Sequence, residues 1–204
     1  MAKQERGGKT GGDGSGEAAR TQAGGRRRGS APAPATPERL EAAALRYLER
    51  YAASSAHLER LLLHKVRRSS EWHSTDAEAG AAFVRALIER LRRSGILDDR
   101  RYAEGKAMSL RRRGGSGRSI RAALAAKGVA GEEADRAILT ADEGGVSDDA
   151  DLAAARRLAR RRRLGPWRVK DRAGHRLKDL AALGRAGFSF KVAKAVIDGE
   201  SDEA

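Results

Sequence analysis

Ser116-Gly117-Arg118-Ser119-Ile120-Arg121-Ala122-Ala123-Leu124-Ala125-Ala126-Lys127-Gly128-Val129 decides the fold. Ser116 suits a helix N-cap, because its hydroxyl can accept from a backbone N–H left free in the first turn. Ile120 and Leu124 are four apart and share one helical face. Gly128 followed by an apolar residue is a C-cap signature. The same phase recurs on either side. Leu58, Leu62 and Lys65-Val66 align upstream, and Leu183 and Ala186-Gly187-Phe188 align downstream. Three tandem helical units follow, each with a long helix, a short second helix ending in a turn, and a third helix.

Working outward, Thr36 caps a first helix with Pro37 at its first position, and places Leu40, Ala44, Tyr47, Leu48 and Tyr51 on one face. Ser54 or Ser55 starts the second helix. Asp76 caps a third, which ends at Ser94-Gly95-Ile96. A fourth begins at Leu97-Asp98-Asp99, where an aspartate can cap and suits the positive end of the helix dipole. A sixth spans Glu132 to Leu139, and a seventh Asp149 to Arg163 with Leu152, Ala155 and Ala159 inward. An eighth carries Leu177, Leu180 and Gly184, and a ninth Val192, Val196 and Ile197. Runs alternating in the manner of strands are nearly missing. The expected fold is therefore all-α, an elongated array of three three-helix repeats over residues 37–96, 97–141 and 148–198. Residues 1–36 read as a disordered tail rich in glycine and arginine, including Arg26-Arg27-Arg28.

Composition narrows the function. The 204 residues carry 42 Lys plus Arg against 28 Asp plus Glu, a net charge of +14 that favours a polyanionic partner. No cysteine is present, which excludes disulfides, thiolate-bound zinc and thiol chemistry. The apolar stretches are far below the roughly 18 residues needed to span a bilayer, and no signal-peptide segment is visible, so a cytoplasmic protein without membrane association is expected. Gly8-Lys9-Thr10 resembles the end of a phosphate-binding loop, but Lys3 stands where that motif needs glycine. His57, His64, His73 and His175 lack metal-ligand spacing and read as surface residues. No nucleophile, base and orienter assemble, so neither an enzyme nor a cofactor is expected.

Cations concentrate in two places. Arg111, Arg112, Arg113, Arg118 and Arg121 surround Gly114-Gly115-Ser116-Gly117, with no acid between positions 111 and 121. That turn either cradles an anion at the start of the fifth helix or is simply flexible. Arg156, Arg157, Arg160, Arg161, Arg162, Arg163, Arg168, Lys170 and Arg172 form the second group, against Asp171 alone. Guanidiniums at helical spacing suit a phosphate backbone or an acidic protein groove. Trp167 stacks on a base or covers the end of the seventh helix.

Four segments together resemble the RecX family of bacterial recombinase regulators. They are Leu45 to Ser55; Gly95-Ile96-Leu97-Asp98-Asp99-Arg100-Arg101-Tyr102-Ala103; Arg113-Gly114-Gly115-Ser116-Gly117-Arg118-Ser119-Ile120; and Leu124-Ala125-Ala126-Lys127-Gly128-Val129. The middle two are the specific ones, and the resemblance spans about residues 38–197. In the first segment the family more often has two arginines and a His-Ser pair, where this chain has Arg50-Tyr51 and Ser54-Ser55.

The resemblance implies a regulator, active in DNA repair, recombination and SOS control, that lodges in the groove of the RecA filament on single- or double-stranded DNA; the sequence shows no dimer signature, so a monomer is expected. There it restrains strand exchange, ATPase and coprotease activity. Arg100, Arg101, Arg111, Arg112, Arg113, Arg118, Arg121, Lys127, Arg156, Arg157, Arg160, Arg161 and Arg163 are then candidate contacts to RecA or DNA. Asp98, Asp99, Tyr102 and Gly128 are structural motif residues. Charge alone supports an alternative, a general DNA-binding protein of the nucleoid type. A helix-turn-helix transcription factor is a third class, but no set of base-reading side chains is identifiable.

Overall fold

The computed structural model describes residues 31–142 and 147–200. By its contacts the chain divides into Met1–Ala31 and Pro32–Ala204, and the helices belong to the second unit. In order they are α1 (Pro37–Leu48), α2 (Ser55–His73), α3 (Ala77–Arg93), α4 (Asp99–Arg112), α5 (Gly117–Ala125), α6 (Glu132–Ala141), α7 (Ser147–Arg162), α8 (Arg172–Arg185) and α9 (Phe190–Ile197). A 3-10 turn at Gly165–Trp167 separates α7 from α8. Among the described residues there is no strand. The tail expected over residues 1–36 falls mostly outside the described residues.

Helix starts follow the local chemistry. Thr36, Ser54, Asp76, Asp98, Ser116, Asp171 and Ser189 each accept a backbone N–H from the first turn of the helix that follows. Each such cap satisfies a donor that helix geometry leaves free, at about 1 kcal/mol per cap. Helix ends follow the glycine rule. Gly95, Gly128 and Gly187 have φ of 72°, 83° and 91°, where a side chain is strained. The N–H groups of Val129 and Phe188 then reach back to the carbonyls of Leu124 and Leu183.

Three apolar clusters form in succession. The first gathers Leu40, Leu58, Leu62, Val84, Leu87 and Leu91 from α1 to α3. The second gathers Ala103, Ala107, Ile120, Leu124, Val129 and Ile138 from α4 to α6. The third gathers Ala155, Leu158, Ala159, Leu183, Val192 and Ile197 from α7 to α9. Alanine fills much of the second and third, so helices approach closely over little apolar volume. Helix packing is concentrated inside each trio.

The trios meet through one repeated joint. In the first joint Ser54 Oγ donates to the carbonyl of Lys127, and the N–H of Ser55 donates to Asp99 Oδ1 at 2.6 Å. In the second, Ser116 Oγ donates to the carbonyl of Ala186 at 2.8 Å, and the N–H of Gly117 donates to Asp151 Oδ1 at 2.8 Å. The turn glycine lies against the preceding helix both times. A Cβ on Gly128 would collide with the Cβ of Ala56, and one on Gly187 would stand 2.6 Å from Ser116 Oγ.

Several expectations need correction. The second helix of the first trio is its longest, 19 residues, because Lys65-Val66 has no glycine where Gly128 and Gly187 end the others. It runs on to His73 and stops at Ser74 with φ 50°. Tyr51 lies beyond the end of α1 and is 58% exposed instead of completing its apolar face. Leu97 precedes α4 and packs in the first cluster. On α8, Leu177 is 75% exposed, and the inward positions are Asp179, Leu180 and Leu183. A buried carboxylate takes part of that face because Gly165 and Arg168 need an acceptor there.

Candidate functional site

The two arginine groups, about forty residues apart in sequence, meet in space. Arg161 Nη1 donates to the carbonyl of Arg113 at 2.8 Å, and Arg157 Nη2 reaches the carbonyl of Arg111 at 3.5 Å. This packing lays α7 against the α4–α5 turn, and Gly114 permits it: a Cβ there would stand 2.9 Å from the Ala154 carbonyl. Arg112, Arg113 and Arg118 from the turn are exposed, as are Arg156, Arg157, Arg160, Arg161, Arg162 and Arg163 from α7 and its end. Arg112, Arg113, Arg157 and Arg161 thus gather like charge on one surface, which favours a polyanionic partner.

Arg111 is different. It is 4% exposed and belongs to the joint. Its Nε and Nη2 donate to Asp142 at 2.7 Å each, and its Nη1 donates to Asp151 at 2.5 Å and to the carbonyl of Gly115. Burial opposes its charge, but the two carboxylates outweigh that and raise its pKa above the ordinary arginine value. Arg111 is thus a structural cation and not an exposed contact. The anion cradle at Gly114 to Gly117 is corrected by the same geometry. Asp151 already takes the Gly117 N–H and faces Arg111, so a carboxylate of the chain fills the place an anion would take.

The remaining candidates are scattered. Arg100 pairs with Glu104 at 2.9 Å, and Arg121 pairs with Asp135 at 2.7 Å. Arg101 is exposed. Lys127 sits at the first joint, its Nζ 3.4 Å from His57 Nε2. Burial, followed by the charges of Lys127 and Arg60, lowers the His57 pKa, so the ring is neutral at pH 7 and its Nε2 lies 3.2 Å from Tyr47 Oη. His57 is accordingly half-buried and hydrogen-bonded, not a plain surface residue. Asp98 caps α4 through the N–H of Arg101. Tyr102 is half-buried against the second cluster, and burial raises its pKa. Trp167 packs against the third cluster. Among the described residues no three His, Asp or Glu side chains are placed to hold a metal, and no helix is long and apolar enough to cross a membrane.

The chain is 45% identical to regulatory protein RecX of Myxococcus xanthus (strain DK1622) over 169 residues, covering 82% of this chain and 88% of that protein. The chain belongs to the RecX family. It is also 33% identical to regulatory protein RecX of Agrobacterium fabrum over 166 residues, covering 79% of this chain and 83% of that one. A solved crystal structure of regulatory protein RecX shares the fold, with a TM-score of 0.56 at 22% identity over 80% of this chain and 72% of that chain. No protein-family model matches the chain. These RecX relatives are named as regulatory proteins.

Within this RecX chain, sequence reasoning missed the acidic half of the second joint. Asp142 and Asp151 lie 31 and 40 residues from Arg111. The available signal was three adjacent arginines before a glycine turn, where a helix of period about 3.6 turns successive residues to different sides, so one of them can face inward. Asp179 was missed too. It is 2% exposed and binds the Gly165 N–H at 2.8 Å and Arg168 through two nitrogens. Burial opposes its ionisation, but the Arg168 and Gly165 hydrogen bonds outweigh burial and hold its carboxyl below the ordinary carboxylate range.

Proposed function

We propose that this protein binds RecA recombinase filaments on DNA and restrains their strand-exchange, ATPase and coprotease activities. The observation that carries the reading is its identity with a named RecX regulatory protein over most of both chains. The arginine surface across the second joint supplies a physical means. Arg112, Arg113, Arg118, Arg156, Arg157, Arg160, Arg161 and Arg163 would face an acidic protein groove or the phosphates of filament-bound DNA, with Arg100, Arg101, Arg121 and Lys127 as further contacts. Arginine suits both ligands, because its planar fork pairs with two oxygens at once. The protein acts as a cytoplasmic monomer, without enzymatic chemistry of its own.

The test is co-sedimentation with preformed RecA filaments on single-stranded DNA, in salt high enough to remove binding to naked DNA. Retention in the pellet at that salt supports the reading. A second reading, a general DNA-binding protein, is favoured by the net charge and the arginine surface alone. It predicts binding that depends only on phosphate and falls steeply with salt, with a log–log slope of about −0.9 per phosphate neutralised on duplex. In that case the protein leaves the pellet together with its affinity for naked DNA.

A further inference from the structure

We infer that the groove between α1 and α2 is a binding site for single-stranded nucleic acid, in which Tyr51 stacks on a base while Arg46, Arg50, Lys65 and Arg68 hold the phosphates. The groove is open and has a volume of about 1160 Å³. It deepens the nucleic-acid part of the proposed function and lies apart from the arginine surface of the second joint.

Its walls are fixed. One is the extended stretch before α1, where the Ala35 N–H donates to Ser69 Oγ at 2.9 Å and the Pro32 carbonyl meets His73 Nε2 at 2.5 Å. Ser69 is fully buried and also bonds Thr75 at 3.0 Å, so this stretch is tied down along α2. Leu40 and Leu61 also line the groove.

The aromatic platform is equally well held. Tyr47 Oη lies 3.2 Å from His57 Nε2, which fixes that ring. The Tyr51 ring leans on it with centroids 5.2 Å apart and planes at 44°. The N–H of Tyr51 donates to the Tyr47 carbonyl at 2.9 Å, which sets the turn that presents it. One Tyr51 face is thus supported while the residue as a whole is 58% exposed. Exposed to this extent, Tyr51 adds little to the core, whereas a supported and exposed ring beside a basic groove is the arrangement that stacks on unpaired bases.

The charge fits the same ligand. Arg46, Arg50, Lys65 and Arg68 are exposed and make no ion pair among the described residues. Glu38 and Glu49 also line the groove, leaving cations in excess. A duplex keeps its bases covered and offers Tyr51 nothing to stack on. An acidic peptide would use the cations but not the ring. The observations therefore favour a single strand.

The test is fluorescence anisotropy of the full chain with labelled oligothymidylate, its duplex form, and polyglutamate, with no recombinase present. The site and the recombinase reading therefore fail separately. Tyr51→Ala should weaken single-strand binding about ten-fold and leave duplex binding unchanged, while Tyr51→Phe keeps the affinity. Arg50→Glu with Arg68→Glu should weaken single-strand binding and lower its salt slope by about 0.7 for each phosphate no longer neutralised. Both residues are exposed, so this variant tests the groove independently of the ring. Arg92→Glu with Arg93→Glu on α3 is the charge control and should have a smaller effect. The proposal is overturned if Tyr51→Ala binds oligothymidylate as the unaltered chain does, or if the α3 control weakens binding as much. It is equally overturned if polyglutamate binds as tightly as the oligonucleotide and Arg50→Glu with Arg68→Glu weakens both alike while Tyr51→Ala weakens neither, which would make the groove a site for acidic protein.

Discussion

The Ser116 hydroxyl donates to the carbonyl of Ala186 across the boundary between the second and third trios, and Ser54 makes the equivalent bond to Lys127 one trio earlier. Each serine has two tasks. Its oxygen accepts from the first turn of its own helix, and its proton goes to the residue before the turn glycine of the next trio. The cap that starts a helix therefore also sets how the next unit docks, and a repeat in sequence becomes a repeat in placement.

Adjacent serines at the first joint should behave in opposite ways. Ser54→Ala removes a cap and leaves the Lys127 carbonyl without this donor, which costs about 1–3 kcal/mol. The Ser55 hydroxyl is buried with no hydrogen-bond partner among the described residues, so Ser55→Ala should be neutral or slightly stabilising. Urea unfolding of both variants checks this. Equal destabilisation would show that the joint does not depend on the Ser54 bond.

Arg111 and its neighbours should separate folding from binding. Arg111→Ala leaves Asp142 and Asp151 facing each other without their shared cation, a loss on the order of 3–5 kcal/mol for a buried pair broken from one side. Arg112→Glu with Arg113→Glu changes exposed side chains only. It should leave the melting temperature within a few degrees and weaken binding to filaments or DNA. Thermal melts with co-sedimentation distinguish the two, and an unfolded double variant would contradict the placement.

Acid should reach the third trio through Asp179. Its folded pKa lies below the ordinary carboxylate value, so the unfolded chain takes up this proton at higher pH. The stability it contributes is complete above the ordinary value of about 4 and is lost as pH falls through the depressed folded value. Melting temperature followed from about pH 6 to about pH 2.5 should fall more steeply for the unaltered chain than for Asp179→Asn, which starts lower at neutral pH because an amide cannot pair with Arg168. Parallel curves would remove Asp179 from the acid response.

Features set by neighbours in sequence were legible, and features set across trios were not. Thr36, Asp76, Asp98 and Ser116 cap helices as their positions indicate, because a cap needs only the next three residues. Gly128 and Gly187 end helices for an equally local reason. By contrast, whether an arginine faces phosphate or a buried carboxylate depends on a residue tens of positions away. Arg111 reads like Arg112 and Arg113 until Asp142 and Asp151 are in place. Leu177 reads as core until Asp179 is seen to occupy the inward side of α8.

The most direct measurement is DNA-dependent ATP hydrolysis by RecA with this protein titrated in at about physiological salt. Inhibition is expected at amounts well below those that saturate the DNA. Hydrolysis that stays unchanged until naked DNA is fully bound would contradict it and leave a general DNA-binding protein.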